Sequence, residues 1–259
     1  MIDLHCHILP GVDDGAKTIE ESLAMLTLAA EEGIKTIIAT PHHLAGGYDN
    51  KKQRVDHAVK ELNNEALVAG LSIKILSGQE IRLHSEILND FTQGDLTPLS
   101  GSGLYYLVEF PFSMYPSSSY NTLLGVMGEG YKPILAHPER YRYFKENPSL
   151  LFDLIDAGVL MQVTAGSLTG AFGKSAQALS FRLLDERAVH FIASDAHDPE
   201  RRDFKLAPAY DLIEKKYGPA YVNYLKENTY RVLNNDEIFS YSGEFRQVKR
   251  KGLFGRLKK

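Results

Sequence analysis

Short, mostly continuous apolar runs recur along the chain at Ile2–His5, Lys35–Ala39, Ile73–Leu76, Leu104–Val108, Pro133–Ala136, Leu160–Val163 and His190–Ala193. Runs without polar alternation mark parallel strands covered on both faces. The segments between them carry helical spacing. Thr18-Ile19-Glu20-Glu21 reads as a capping box that opens a helix through Leu23, Leu26 and Ala30 and stops at Gly33. Further helices are expected over Lys51–Ala69, Tyr120–Gly128, Pro148–Ala157 and Ser175–Glu186. Strands alternating with helices predict a parallel α/β architecture, for which a doubly wound sheet and a closed barrel leave similar patterns. No repeat, low-complexity stretch or linker divides the chain before its end. There, Arg246–Lys259 carries seven basic residues and no acid, and reads as a tail.

Composition narrows the class. With 259 residues, 44% hydrophobic and 24% charged, the chain has the make-up of a folded domain rather than a disordered one. A net charge of −4 gives no reason to expect nucleic acid as a partner. A single cysteine makes no internal disulfide, which suits a reducing compartment. The N-terminus shows no basic and apolar export leader, and no apolar run approaches the roughly 20 residues needed to cross a bilayer. A soluble cytoplasmic protein is the expectation.

The chemistry lies just past the carboxyl ends of the strands. The first is followed by His5, His7, Asp13 and Asp14, the second by Thr40-Pro41-His42-His43, and the third by Gly78-Gln79-Glu80. Glu109 follows the fourth, His137-Pro138-Glu139-Arg140 the fifth, and Ser194-Asp195-Ala196-His197 the seventh. The sixth, ending at Thr164-Ala165-Gly166-Ser167, offers no obvious ligand. Barrels and open sheets alike build their sites at these strand ends, so the residues converge on one face. A lone histidine there would be a cap or a packed side chain. Many carboxylates gathered in a low dielectric repel one another unless cations join them, which points to a multinuclear metal centre. Residues two apart in a strand share a face, so His5 and His7 point together and Cys6 points away, an inert packed thiol. A cysteine phosphatase would need an arginine six positions after its cysteine, where Val12 stands. Five histidines with four carboxylates and no thiolate suit Mn²⁺, Fe²⁺ or Zn²⁺. No GxxxxGK[ST] or GxGxxG loop supports a nucleotide cofactor.

In order, HCHILPGVDDG, ATPHH, GQE, EF, AHPER and SDAH resemble the polymerase-and-histidinol-phosphatase (PHP) superfamily. With GSLTGAFGK, they are similar to its bacterial manganese-dependent tyrosine-protein phosphatases of the CpsB/CapC type. The resemblance spans a phosphatase domain over 1–245 and leaves 246–259 as a basic C-terminal tail. It implies an α/β fold, a distorted TIM-like (β/α)7 barrel, with a trinuclear manganese centre in which iron or zinc is an alternative. By the same resemblance His5, His7, Glu80 and Asp195 hold one ion. Glu80 bridges to a second, held by Glu109 and His137, and Asp14, His42 and His197 hold the third. Spacing does not choose between Asp13 and Asp14; the motif match chooses Asp14. Arg140 matches a phosphate-binding arginine, and Arg202 is taken over Arg201 as the second by spacing. These two are the catalytic and substrate-binding candidates, with His43 beside them.

The implied reaction is hydrolysis of phosphotyrosine on an autophosphorylated kinase of capsule or exopolysaccharide assembly, by attack of a metal-activated hydroxide. Asp198, His43 and a metal-bound water stand as alternatives for protonating the leaving oxygen. The tail reads either as a contact with an acidic phosphorylated segment or anionic lipid at the inner membrane face, or as a solvated end. Tyr105, Tyr106 and Tyr115 are candidates to stack on a substrate ring, against ordinary packing. Two alternatives keep their place: a phosphoesterase for histidinol phosphate, another small monoester or a nucleic-acid end, and a catalytically idle adaptor that binds a kinase.

Overall fold

A computed structural model describes residues 1–239 and 241. The strands are β1 (Ile2–Cys6), β2 (Thr36–Ala39), β3 (His42–His43), β4 (Lys74–Ser77), β5 (Glu80–Arg82), β6 (Tyr105–Glu109), β7 (Lys132–Ala136), β8 (Leu160–Thr164) and β9 (Phe191–Ala193). The helices are α1 (Ile19–Glu31), α2 (Lys52–Val68), α3 (Ile87–Gln93), α4 (Ser119–Gly128), α5 (Arg142–Glu146), α6 (Ser149–Asp156), α7 (Ala165–Thr169), α8 (Lys174–Asp185), α9 (Leu206–Tyr217) and α10 (Pro219–Asn234). All seven strands expected from the apolar runs are present, each within a residue or so of its place. β3 and β5 are additional. They continue β2 and β4 past the short breaks Thr40-Pro41, where proline lacks an N–H for the ladder, and Gly78-Gln79.

Every ladder is parallel, in the orders β1-β2-β4 and β3-β5-β6-β7-β8-β9. Because β3 prolongs β2 and β5 prolongs β4, the two sheets form one succession of strands taken in chain order. Between its ends no regular ladder runs among the described residues. β1 and the end of β9 meet through the isolated bridge Cys6–Ala196, with Asp195 N–H donating to His5 O and His7 N–H to Ala196 O, both at 2.9 Å. Isolated backbone bonds, not a ladder, thus join β9 to β1.

Alternation along each strand then sorts the side chains. Ile2, Leu4, Ile38, Tyr105, Leu107, Ile134 and Phe191 fill the interior, and Val232 of α10 closes its lower end. Their neighbours Ile37, Tyr106, Val108, Leu135, Met161 and Ile192 face the helices in the larger outer core. Tyr105 and Tyr106 are thus packed, away from any substrate. The interior is apolar at the amino ends of the strands and turns polar towards their carboxyl ends. No helix among the described residues is long and apolar enough to cross a membrane. The basic tail lies outside the described residues.

Candidate metal centre

β1 supplies His5 and His7. Its register slips between Asp3 and Cys6, which lets Leu4 and His5 both serve the interior while Cys6 joins the outer core. His5 Nε2 and His7 Nε2 lie 3.1 Å apart. Glu80 Oε2 is 3.3 Å and 3.2 Å from them, and Asp195 Oδ1 is 3.4 Å from each. His42, from β3, brings Nδ1 to 2.9 Å from Glu80 Oε2 and 3.3 Å from Glu109 Oε1. His137 Nε2 approaches the other Glu80 oxygen at 2.6 Å. Asp14 Oδ1 stands 3.5 Å from both His42 Nε2 and His197 Nε2. Glu80 thus sits at the middle, with one oxygen towards each of two ligand groups.

The surroundings fix which ring nitrogens face inward. His5 Nδ1–H donates to Gln162 Oε1 (2.9 Å), His7 Nδ1–H to Asp13 Oδ2 (2.7 Å) and His197 Nδ1–H to Asp195 O (3.0 Å). With the rings neutral, as metal binding requires, each Nε2 presents a lone pair, and those of His5 and His7 confront each other across 3.1 Å. Glu80 Oε2, Glu109 Oε2 and His137 Nδ1 are buried without a hydrogen-bond partner. Opposed lone pairs and orphaned carboxylate oxygens repel unless a cation lies between them. The nitrogen and oxygen donors present fit hard or borderline divalent ions, and Cys6 Sγ faces Ala196 O instead of the cluster.

The charges lead to the same requirement. Burial opposes ionisation of Glu80, yet His5, His42 and His137 together hold it well below the usual carboxylate range. Asp195 is buried and likewise held low, by His5, Arg140, Arg202 and His197. Burial works against a charge on His42, but Glu80 and Glu109 push it up to about 10. Burial and the neighbouring His7 instead lower His197 to about 4. The carboxylates therefore call for positive charge at the atoms that face one another. Two of the cluster's residues also have left-handed backbones, His137 at φ 36° and Asp195 at φ 55°. Such conformations cost energy in residues other than glycine and gather at functional sites.

Arg140 donates to Asp195 Oδ2, and Arg202 reaches the same oxygen at 2.7 Å. Arg201 is exposed and its N–H turns to Asp198 Oδ1 instead. Two candidates stand elsewhere. His43 takes the opposite face of β3 from His42, buried and 3.6 Å from Asp49, so strand alternation removes it from the substrate side. Asp198 is occupied by Glu200 N–H and Arg201 N–H, and these bonds hold its carboxyl below its ordinary value against the effect of burial. Two residues of the centre lie outside the set expected from sequence: Arg82, which grips Glu109 Oε1 at 2.9 Å and 3.2 Å, and Gln162. Each carries a visible signal: Arg82 shares a strand face with Glu80, and Gln162 is the one amide in the apolar run LMQVT.

Imidazoles and carboxylates converging at the carboxyl ends of a parallel barrel, with guanidinium groups beside them, define a barrel-type metallohydrolase. More narrowly, a family profile described as "Capsular polysaccharide synthesis, CpsB/CapC" matches residues 1–234, and the chain belongs to that family. It is 42% identical over 255 residues to the tyrosine-protein phosphatase YwqE of Bacillus subtilis (strain 168), across 98% of this chain and 99% of that one. With the tyrosine-protein phosphatase CpsB of Streptococcus pneumoniae it shares 30% identity over 223 residues, 84% of this chain and 91% of the other. Its structure superposes with a TM-score of 0.90 and 41% identity on a chain described among "YwqE from Bacillus subtilis and CpsB from Streptococcus pneumoniae, unique metal-dependent tyrosine phosphatases". The match covers 93% of this chain and 97% of that chain. The fold is the PHP-type barrel that the resemblance implied, and by membership the chain is a metal-dependent phosphoric monoester hydrolase.

Proposed function

We propose that the protein is a protein-tyrosine phosphatase acting on a bacterial tyrosine kinase of capsule or exopolysaccharide assembly. The observation that carries this reading is the double use of Asp195. Its Oδ1 faces the imidazoles of His5 and His7, while its Oδ2 collects Arg140 and Arg202. Metal ligands and guanidinium groups brought this close together suit a phosphomonoester dianion, whose oxygens can take both kinds of partner. In this reading the metal ligands are His5, His7, Asp14, His42, Glu80, Glu109, His137, Asp195 and His197, around three manganese ions. Held there, such ions would supply Lewis acidity and lower the pKa of a water. Arg140 and Arg202 turn from Asp195 to the non-bridging oxygens and stabilise the charge that develops on them.

The leaving group is set by the surroundings of the phosphate seat. Neither His43, on the far face of β3, nor Asp198, held low by backbone N–H groups, is placed to protonate it. A phenolate, with a pKa of about 10, departs with less acid help than an alkoxide. That favours phosphotyrosine over serine or histidinol esters. A manganese-loaded preparation offered a phosphotyrosyl peptide, histidinol phosphate and a labelled oligonucleotide should turn over the first best. Preference for either of the others would overturn the reading.

The kinase, a cytoplasmic location and recruitment to the inner membrane face through 246–259 belong to the same proposal. Deleting that segment should slow dephosphorylation of the kinase and spare p-nitrophenyl phosphate. Equal loss on both substrates would remove the tail's docking role.

A further inference from the structure

The loop between Pro111 and Pro116, after β6, carries two large apolar side chains into solvent beside a centre made of charges. Phe112 is 45% exposed and Met114 66%. Neither belongs to the buried core. The loop is nevertheless held in place. Tyr141 Oη accepts from Phe110 N–H (2.8 Å), and Tyr143 Oη–H donates to Pro111 O (3.1 Å), which pins the chain just before Phe112. The Phe112 ring lies 4.9 Å from that of Tyr141 and is nearly parallel to His137, centroids 5.7 Å apart and planes at 19°. The Arg140 guanidinium carbon is 5.3 Å from the Phe112 centroid. Phe172, on the loop after α7, backs Arg140 at 4.6 Å and Arg202 at 5.9 Å. One run, Arg140 to Tyr143, thus places a guanidinium at the cluster and braces the loop that presents Phe112.

Building on the phosphotyrosine reading, we propose that Phe112 is the specificity-determining wall of the site. Its exposed face receives the phenyl ring of the substrate while Arg140 takes the phosphate. Phe172 is a positioning residue that holds both guanidinium groups by cation–π contact. A phosphate seated at Arg140 leaves its ester group beside Phe112, the exposed apolar surface that adjoins the guanidinium. A phenyl ring gains an aromatic partner there, and a serine side chain is too small and polar to gain one.

The test uses full-length, manganese-loaded enzyme. F112A should raise KM for a phosphotyrosyl peptide about tenfold, and F112L less, because leucine keeps the apolar surface and loses the ring. The Ki of inorganic phosphate, which reads the phosphate seat alone, should rise far less than KM in both, because Phe172 still backs Arg140. F172A should raise that Ki. If Phe112 only props Arg140, F112A raises the phosphate Ki together with KM and lowers kcat, and the proposal falls. An unchanged KM in F112A overturns it equally. Wild-type enzyme that leaves phosphotyrosyl peptide intact refutes the phosphotyrosine reading itself, a result obtained before any variant is made.

Discussion

Gly15 shows how closely the centre is packed at single positions. A Cβ placed there would fall 2.0 Å from His7 O and 2.5 Å from His7 Cβ. Glycine is required by that approach, and Gly15 N–H in turn donates to Asp13 Oδ1, the carboxylate that orients His7. Gly15→Ala should therefore cost bound metal and activity while leaving the circular dichroism of the barrel intact. Metal analysis of the purified variant checks this, and full metal content would contradict it. Arg140 tests the opposite pole of the site. Arg140→Ala should lower kcat/KM by about a hundredfold with metal content unchanged, since the guanidinium serves the phosphate. Loss of metal would make it a prop for Asp195 instead. Much of this scale is legible from spacing: His5 and His7 share a face, and Cys6 does not. The different roles of Asp13 and Asp14 are not, because adjacent carboxylates in a loop carry no periodicity. Only the folded loop sends Asp13 back to His7 and Asp14 out to His42 and His197.

At the scale of elements, α1 begins where Thr18 predicts. Thr18 Oγ1 accepts from Glu21 N–H at 3.3 Å. The glutamate, however, reaches Lys17 N–H (2.7 Å) in place of the threonine's own N–H, so the capping box closes one residue early. Thr18→Ala should cost about 1 kcal/mol in urea unfolding and leave kcat unchanged, as the cap lies outside the site. A stability equal to wild type would mean the Glu21 bond alone fixes this end. The two- and three-residue strands β3 and β5 are too short for any hydrophobic pattern to reveal them. α10 escapes for another reason. Its apolar stripe through Tyr221, Val222, Leu225 and Val232 is broken by Asn228 and Thr229, both buried, and Asn228 is buried because its amide donates to His190 O (3.0 Å). A tertiary hydrogen bond overrides the periodic signal there.

For the molecule as a whole, the division between a polar upper and an apolar lower interior explains both function and stability. The strand order follows from chain order, but the seam between β9 and β1 depends on a few backbone bonds near Asp195 that no local pattern encodes. At the lower end, burial lowers His190 from 6.5 to about 4, and its Nδ1 must keep a lone pair to accept Met161 N–H (3.1 Å). The unfolded chain takes up this proton first. The contribution is therefore complete above about pH 6.5 and is lost as the pH falls towards 4. His190→Gln should accordingly lose less stability than wild type between neutral pH and pH about 5, judged from urea midpoints. Parallel losses would show that other groups govern acid stability. The central claim, a metal-dependent phosphatase built on the strand ends, is tested most directly by metal content and phosphatase activity measured on one preparation. Chelation should remove both, and Mn²⁺ should restore most of the activity. Activity that survives full removal of metal and disappears in Cys6→Ser would contradict it.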